Sequence, residues 1–121
     1  MSTLLYTLKS NKIQINLIKN NKNIGKISST LFTNTLFINE LYVNEDYRLK
    51  NYGTYLINSN EIILRNYYFN IKLIKLIAKD YEYGYLHNFF EKLGYNKYDF
   101  LYTNYISNSS YKLTPMYKNI D

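Results

Sequence analysis

The chain has 121 residues and a formal net charge of +6, with no cysteine and a single histidine, His87. Its length fits one domain over residues 1–121, and the lack of cysteine excludes disulfides, thiolate metal ligands and a cysteine nucleophile. We expect no metal site, because a single histidine disfavours a histidine cluster. We expect a cytoplasmic protein, because no apolar run reaches the ~20 residues of a membrane helix and no secretory signal opens the chain. The positive charge suits an anionic ligand, but the dispersed lysines disfavour nucleic acid as the partner.

The first third of the sequence predicts four antiparallel strands joined by tight turns. Ile13, Ile15 and Leu17 alternate with polar residues, which is the spacing of a half-buried strand. Short runs rich in Asn, Ser and Thr separate the apolar segments and are typical of hairpin turns. The predicted strands are 3–8, 13–17, 24–32 and 35–43, and the turns are 10–11, 20–23 and 33–34.

The rest of the chain predicts two helices and three further strands. Residues 53–69 have helical spacing, although Asn60 falls among the apolar positions of the inward face. Residues 71–78 are apolar on both faces, which favours a central strand. Gly94 is a typical helix end, and Pro115 indicates an edge strand. The predicted elements are a helix at 53–69, a strand at 71–78, a helix at 85–93 and a hairpin of strands 98–106 and 111–117.

A basic turn between a strand and a helix, residues 43–56, predicts a phosphate site. The first amide groups of a helix have no partner within the helix, and the helix dipole adds positive charge there. Gly53 allows a ligand to approach the backbone, and Arg48 and Lys50 add positive charge. The alternative is an ordinary connection with two solvated cations.

These residues resemble motif A of the GCN5-related N-acetyltransferases (GNAT), which holds the pyrophosphate of acetyl-CoA. Arg48 stands at the Arg/Gln position of that motif and Gly53 at its second glycine, while Asn51 replaces the first glycine. The resemblance implies that backbone groups of Tyr42 and Val43 bind the pantetheine arm and the acetyl carbonyl. The cofactor-binding residues implied for the turn are Arg48, Leu49, Lys50, Asn51, Tyr52, Gly53 and Thr54.

Residues 87–95, HNFFEKLGY, resemble motif B of the same family. The resemblance places this helix along the cofactor and implies that Phe89 and Lys92 contact it. Phe90 occupies the position of the usual general-acid tyrosine and cannot donate a proton. Tyr81, Tyr83 or Tyr85 then replaces that tyrosine, or the thiolate leaves unassisted, or catalysis is weak. His87 is a base, a cofactor contact or a half-exposed helix residue without a role.

Glu40 is the candidate general base. The segment FINELYV resembles the acidic stretch of small-molecule acetyltransferases, and Glu40 lies where the family's strand bulges before the phosphate turn. A base must lie beside the docked amine. The alternative is a strand carboxylate that is exposed or paired with a lysine.

The resemblance implies an α/β, GNAT-like acyl-CoA N-acyltransferase fold: a mixed, twisted sheet of six to seven strands with two main helices. Because Leu8 is followed almost at once by Ile13, the two helices that the family places after its first strand are missing. The implied activity is transfer of an acetyl group from acetyl-CoA to a primary amine of a small molecule or a protein. The alternative is a weak or inactive module that binds CoA or a protein partner. A homodimer or a large acceptor is expected to close the open side, and the tyrosine-rich final hairpin favours the dimer.

Overall fold

The computed structural model describes residues 2–48, 50–68, 70–81, 86–98 and 111–120, which contain seven strands and two α-helices. The chain divides into two compact units, residues 1–72 and residues 73–121.

The first unit is an antiparallel meander of four strands followed by a helix, as predicted. Left-handed residues allow its tight turns: Ser10, Asn20, Asn21 and Thr33 have φ between 52° and 62°. Each strand pairs with the next along the chain. The elements are β1 (Ser2–Lys9), β2 (Lys12–Lys19), β3 (Lys22–Phe32), β4 (Thr35–Val43), a 3₁₀ turn (Glu45–Tyr47) and α1 (Tyr52–Tyr67).

One face of this sheet packs against α1 and forms the core of the first unit. The alternating apolar residues of β2 are buried, and they pair with β3 residues that face the same side. The apolar stripe of α1 covers them. The fully buried side chains of this core include Ile13, Ile15, Leu17, Ile27, Leu56, Ile57 and Leu64. β1 runs directly into β2 through Ser10 and Asn11, so no helix lies between the first two strands.

Two β-bulges change which residues face the core. Ile24 is the extra residue of β3, because Leu17 pairs with Gly25 and Ile18 with Asn23. Asn39 is the extra residue of β4, since Ser28 pairs with Glu40 but Ser29 pairs with Ile38. A bulge moves the residues beyond it to the opposite face.

Asn60 is a polar residue in this core, with 1% of its surface exposed. Its side-chain nitrogen lies 3.4 Å from Ser29 Oγ, and among the described residues no donor reaches Asn60 Oδ1. A buried acceptor without a donor costs about 1–3 kcal/mol.

We therefore expect Asn60→Leu to raise the free energy of unfolding by about 1 kcal/mol in urea titrations. Ser29→Ala is the matched control and is expected to lower the free energy of unfolding, because the Asn60 NH₂ group then also loses its partner. A lower free energy of unfolding for Asn60→Leu would contradict this reading.

The described residues of the second unit form three antiparallel strands and a short helix. The strand order is β5-β7-β6, so β7 is paired on both sides. The prediction that Pro115 marks an edge is therefore wrong: β7 pairs with β5 along its whole length, and Tyr98 donates its N–H to the carbonyl of Pro115 from the other side. The predicted strand 98–106 lies outside the described residues beyond Tyr98. The elements are β5 (Leu73–Tyr81), α2 (Leu86–Lys92), β6 (Asn96–Lys97) and β7 (Tyr111–Asn119).

Gly94 ends α2 as the sequence predicts. It has φ of 94°, a left-handed conformation that glycine adopts without strain. The amide groups of Gly94 and Tyr95 donate to the carbonyls of Glu91 and Phe90, both at 3.0 Å, and so satisfy the open end of the helix.

Candidate functional site

The loop between β4 and α1 has a fixed backbone path. Asn44 donates its N–H to the Ile24 carbonyl at 2.7 Å, and its side chain accepts from the Asp46 amide at 3.0 Å. Asn51, directly before α1, adopts the left-handed conformation with φ 65° and ψ 16°. Asparagine is the residue that tolerates this conformation best after glycine. Asn51 therefore preserves the backbone that the first glycine of motif A would allow.

The start of α1 presents amide groups that the helix does not use. The first hydrogen bond within the helix runs from the Tyr55 N–H to the Asn51 carbonyl, at 3.0 Å. The N–H groups of Tyr52, Gly53 and Thr54 precede it and have no acceptor within the helix. Asn51 makes no side-chain cap, and no acidic residue occupies the first turn of α1. An anion can therefore accept from these three donors at the positive end of the helix dipole.

Two cations in the loop border this helix start. The Arg48 side chain donates from Nε to the Val43 carbonyl at 2.9 Å, which holds the guanidinium beside the end of β4. Lys50 Nζ lies 5.8 Å from the centre of the Tyr47 ring. Both side chains are exposed, so both reach solvent and any anion in it. The loop also carries the exposed acidic pair Glu45 and Asp46 in its 3₁₀ turn.

Lys19 adds a third cation that sequence reasoning missed. Its Nζ donates to the Tyr52 hydroxyl at 3.0 Å and lies 5.7 Å and 6.0 Å from the ring centres of Tyr52 and Tyr47. The hydrogen bond to Tyr52 raises the pKa of Lys19 and so favours its charged form. Lys19 ends β2, 33 residues before Tyr52, and no local pattern in the sequence connects the two.

Gly25 allows β3 to approach the end of β4 beside this loop. It pairs with Val43, and a β-carbon at Gly25 would lie 2.9 Å from the Tyr42 carbonyl oxygen and 3.2 Å from Leu56 Cδ1. Any side chain there would push β3 away from the backbone of Tyr42 and Val43. Those two residues are the ones expected to bind the pantetheine arm.

Glu40 lies on the solvent side of the sheet because of the bulge at Asn39. In a regular strand it would share the buried face of Leu36 and Ile38, but beyond the bulge the face changes. The Glu40 side chain is 51% exposed, and its Oε1 lies 3.3 Å from Lys26 Nζ. The predicted bulge is present, and so is the alternative pairing of the carboxylate with a lysine.

Motif B forms α2 in the second unit. Phe90 is 3% exposed and packs edge-on against Phe89 and Tyr95, with ring centres 5.1 Å and 5.4 Å away. Phe89 is half-buried, and Lys92 is exposed. Phe90 is therefore a packing residue. The side chains of Tyr81, Tyr83 and Tyr85, which were considered as replacements for the general acid, lie outside the described residues.

The described residues place the predicted turn residues together, at one end of the first unit. Leu49 is the exception, since it lies outside the described residues. Phe89 and Lys92 belong to the second unit. Among the described residues, no three His, Cys, Asp or Glu side chains are grouped to hold a metal ion. The described helices are also too short or too polar to cross a membrane.

Solved structures of acetyltransferases share the fold. PaiA N-acetyltransferase of Thermoplasma acidophilum, solved with coenzyme A, matches with a TM-score of 0.70 and 19% identity over 91% of this chain; the match spans 62% of that protein. An aminoglycoside 6'-N-acetyltransferase complexed with coenzyme A matches with a TM-score of 0.73 and 18% identity; the match covers 90% of this chain and 73% of that protein. The ribosomal-protein-S18-alanine N-acetyltransferase of Escherichia coli matches with a TM-score of 0.72 and 15% identity; the match covers 94% of this chain and 72% of that protein. The predicted GNAT-like α/β fold is confirmed.

The Acetyltransferase (GNAT) family model matches residues 4–95, which is most of the chain. The protein therefore belongs to the GNAT acetyltransferase family, and the resemblance noted in motifs A and B is confirmed. Acetyl-CoA as the co-substrate is confirmed at the level of this family and its CoA-bound neighbours. A sequence comparison with curated proteins gives no match.

Proposed function

We propose that the protein transfers the acetyl group of acetyl-CoA to a primary amine, which attacks the thioester directly. The start of α1 carries this proposal. Three amide donors at Tyr52, Gly53 and Thr54 lack an acceptor within the helix, and Arg48 and Lys50 adjoin them. A pyrophosphate is an anion of the right size and charge to accept from several such donors at once.

The rest of the cofactor is assigned by the same resemblance. The backbone of Tyr42 and Val43, at the end of β4 where Gly25 lets β3 pack closely, binds the pantetheine arm and the acetyl carbonyl. Leu49 and Asn51 contribute backbone groups to the phosphate turn. The motif B resemblance implies that Phe89 and Lys92 of α2 also contact the cofactor. These assignments rest on the positions of the residues in the two motifs.

Glu40 serves as the general base in this proposal. An amine is protonated at neutral pH and must lose a proton before its nitrogen can attack the thioester carbon. The Glu40 carboxylate is exposed and can take that proton directly or through a water molecule. Its ion pair with Lys26 is solvent-exposed, and such pairs contribute only about 0–1 kcal/mol, so it does not prevent this role.

The acceptor is a primary amine of a small molecule or of a protein. The two kinds of acceptor occur among proteins with this fold: one structural neighbour is named for an aminoglycoside and another for an alanine of a ribosomal protein. The protein acts in the cytoplasm in this proposal.

A second candidate function is a GNAT-like module that binds CoA or a protein partner and transfers acetyl groups weakly or not at all. The burial of Phe90 favours it, because the usual donor to the leaving thiolate is replaced by a packing residue.

Two measurements test the proposal. Calorimetry with acetyl-CoA is expected to give micromolar affinity, and a panel of polyamines, amino sugars and peptides with free N-termini is expected to contain an acceptor. Binding without turnover on any amine would favour the second candidate. No binding at millimolar acetyl-CoA would contradict the transferase and a CoA-binding module alike, and would leave only a module that binds a protein partner.

We also expect the protein to form a homodimer. With β1 joined directly to β2, the exposed side chains of Leu5 and Tyr42 stand on the sheet face opposite α1. A second copy can cover this face and so remove apolar surface from water. Light scattering after size exclusion at high micromolar concentration is expected to give twice the mass of the chain. The Leu5→Lys variant is expected to give the mass of a single chain. A strict monomer that acetylates a free small amine with a low KM would contradict this expectation.

A further inference from the structure

Two tyrosines hold Lys19, at the end of β2, beside the start of α1. Lys19 Nζ donates to the Tyr52 hydroxyl at 3.0 Å, and it lies 5.7 Å from the centre of the Tyr52 ring and 6.0 Å from the centre of the Tyr47 ring. The centres of the two rings are 6.3 Å apart, so the ammonium group adjoins both. Aromatic rings attract a cation at these distances. The contacts therefore restrict the positions that the Lys19 ammonium group takes.

This ammonium group is free to bind a further acceptor. None of the described carboxylates forms an ion pair with Lys19. The Tyr52 hydroxyl accepts one of the three N–H groups of the ammonium, which leaves two for another partner. The hydrogen bond to Tyr52 also raises the pKa of Lys19, so the side chain is charged at neutral pH.

A second lysine lies at the same aromatic pair. Lys50 Nζ is 5.8 Å from the centre of the Tyr47 ring, and within the described ranges no carboxylate pairs with it either. Glu45 and Asp46 of the neighbouring 3₁₀ turn are exposed, and neither forms an ion pair with the two lysines. Two like charges that are not neutralised repel each other. A bound anion removes that repulsion, so the arrangement itself points to an anionic ligand.

We propose that Lys19, held in place by Tyr52, binds a phosphate group at the nucleotide end of acetyl-CoA. This inference rests on the proposed cofactor site at the start of α1. Tyr52 connects that site with Lys19: its N–H is one of the three amide donors without an acceptor in the helix, and its hydroxyl accepts from Lys19. CoA carries a pyrophosphate and a separate 3′-phosphate on its adenosine. Its nucleotide end therefore has phosphate oxygens for the amides and for Lys19 together.

Lys19→Gln removes the charge and keeps a side chain that forms hydrogen bonds. Calorimetry is expected to show an affinity for acetyl-CoA that is lower by about 10- to 100-fold, the effect of losing a charge-assisted hydrogen bond. Lys12→Gln is the matched control, because Lys12 is exposed at the opposite end of β2 and the change in net charge is the same. It is expected to keep wild-type affinity. Equal losses in the two variants would assign the effect to net charge and overturn the inference.

Lys19→Arg separates the role of the charge from a role in packing. Arginine keeps the positive charge and the N–H donors, so this variant is expected to keep most of the affinity that Lys19→Gln loses. An arginine variant that binds as weakly as the glutamine variant would overturn the inference.

Calorimetry with 3′-dephospho-CoA identifies the phosphate group. If Lys19 binds the 3′-phosphate, the wild-type protein and Lys19→Gln are expected to have the same affinity for this ligand. If Lys19 binds the pyrophosphate, the loss in Lys19→Gln is expected to be the same for acetyl-CoA and 3′-dephospho-CoA. Either result, together with retained binding in Lys19→Arg, supports a phosphate contact.

The hydroxyl of Tyr52 is a positioning group in this inference, because it acts through Lys19. Tyr52→Phe keeps the ring and removes the acceptor of the Lys19 hydrogen bond. We expect it to weaken acetyl-CoA binding less than Lys19→Gln does, since the ammonium group is still present. In the Lys19→Gln background, Tyr52→Phe is expected to have no further effect, as for two residues that act as a unit. Losses that add in full would overturn the positioning of Lys19 by Tyr52.

The outcomes separate this inference from the proposed function. Wild-type affinity in Lys19→Gln would overturn the role of Lys19 and leave the cofactor site at the start of α1 standing. If that variant also had a lower free energy of unfolding, Lys19 would serve only to join β2 to α1. Binding of acetyl-CoA without turnover on any amine would contradict the transferase, while a loss of binding in Lys19→Gln would still support the phosphate contact. A wild-type protein that does not bind acetyl-CoA would contradict the cofactor site and this inference together.

Discussion

Gly53→Val is expected to abolish binding of acetyl-CoA. Gly53 is the second residue of α1, and its N–H is one of the three at the helix start without an acceptor in the helix. An isopropyl group there would keep a pyrophosphate from reaching these amides. Losing two charge-assisted hydrogen bonds, at about 1.5–3 kcal/mol each, weakens affinity by more than about 100-fold. Calorimetry with acetyl-CoA measures this directly.

The matched control for Gly53→Val is Asn58→Val, on the exposed side of the same helix. Both variants place a β-branched residue in α1, and valine has a better helix propensity than glycine, so helix unfolding cannot explain a loss at position 53. Asn58→Val is expected to bind like the wild-type protein. Unchanged acetyl-CoA affinity in Gly53→Val would show that the pyrophosphate does not bind at the start of α1.

Glu40→Gln is expected to lower kcat/KM for the amine by about 100- to 10,000-fold, the range typical for removal of a general base. Glutamine keeps the shape of the side chain and removes its ability to take a proton. Acetyl-CoA affinity is expected to change little, because Glu40 lies on β4 before the phosphate loop. Steady-state kinetics with a confirmed acceptor, together with calorimetry, measure both quantities.

Lys26→Gln separates the general base from the ion pair. Glu40 Oε1 lies 3.3 Å from Lys26 Nζ, and either substitution breaks that contact. If the carboxylate acts as the base, only Glu40→Gln is expected to slow the reaction. Equal losses in the two variants would assign the effect to the ion pair. Wild-type rates for Glu40→Gln across pH 6–9 would place the base elsewhere in the protein.

Local patterns in the sequence were enough to predict most of the fold. Alternation in β2 fixed a strand at Ile13–Leu17, because the side chains of a strand repeat every two residues. Asn20 and Asn21 predicted a turn, and the structure has one there, in which both residues adopt the left-handed conformation that asparagine tolerates. Gly94 ended the second helix in the same way. The predicted phosphate turn followed from the cations beside a helix start, and that combination is also local.

Contacts between distant segments were beyond the reach of the sequence. The bulges at Ile24 and Asn39 change the register of β3 and β4, and nothing in the alternation of residues marks them. The bulge in β4 was expected only from the family resemblance. Without the second bulge, Glu40 would face the core, so its exposure is a consequence of tertiary pairing.

The sequence by itself determined the family and the absence of helices between the first two strands, and it predicted the phosphate turn, because each depends on neighbouring residues. Only the tertiary structure decided which side chains meet: Lys19 with Tyr52 and Asp80 with His87. The physical reason is that hydrogen bonds between side chains require positions matched to within a few tenths of an ångström. Strand register and the packing of helices on the sheet set those positions, and both are properties of the whole fold.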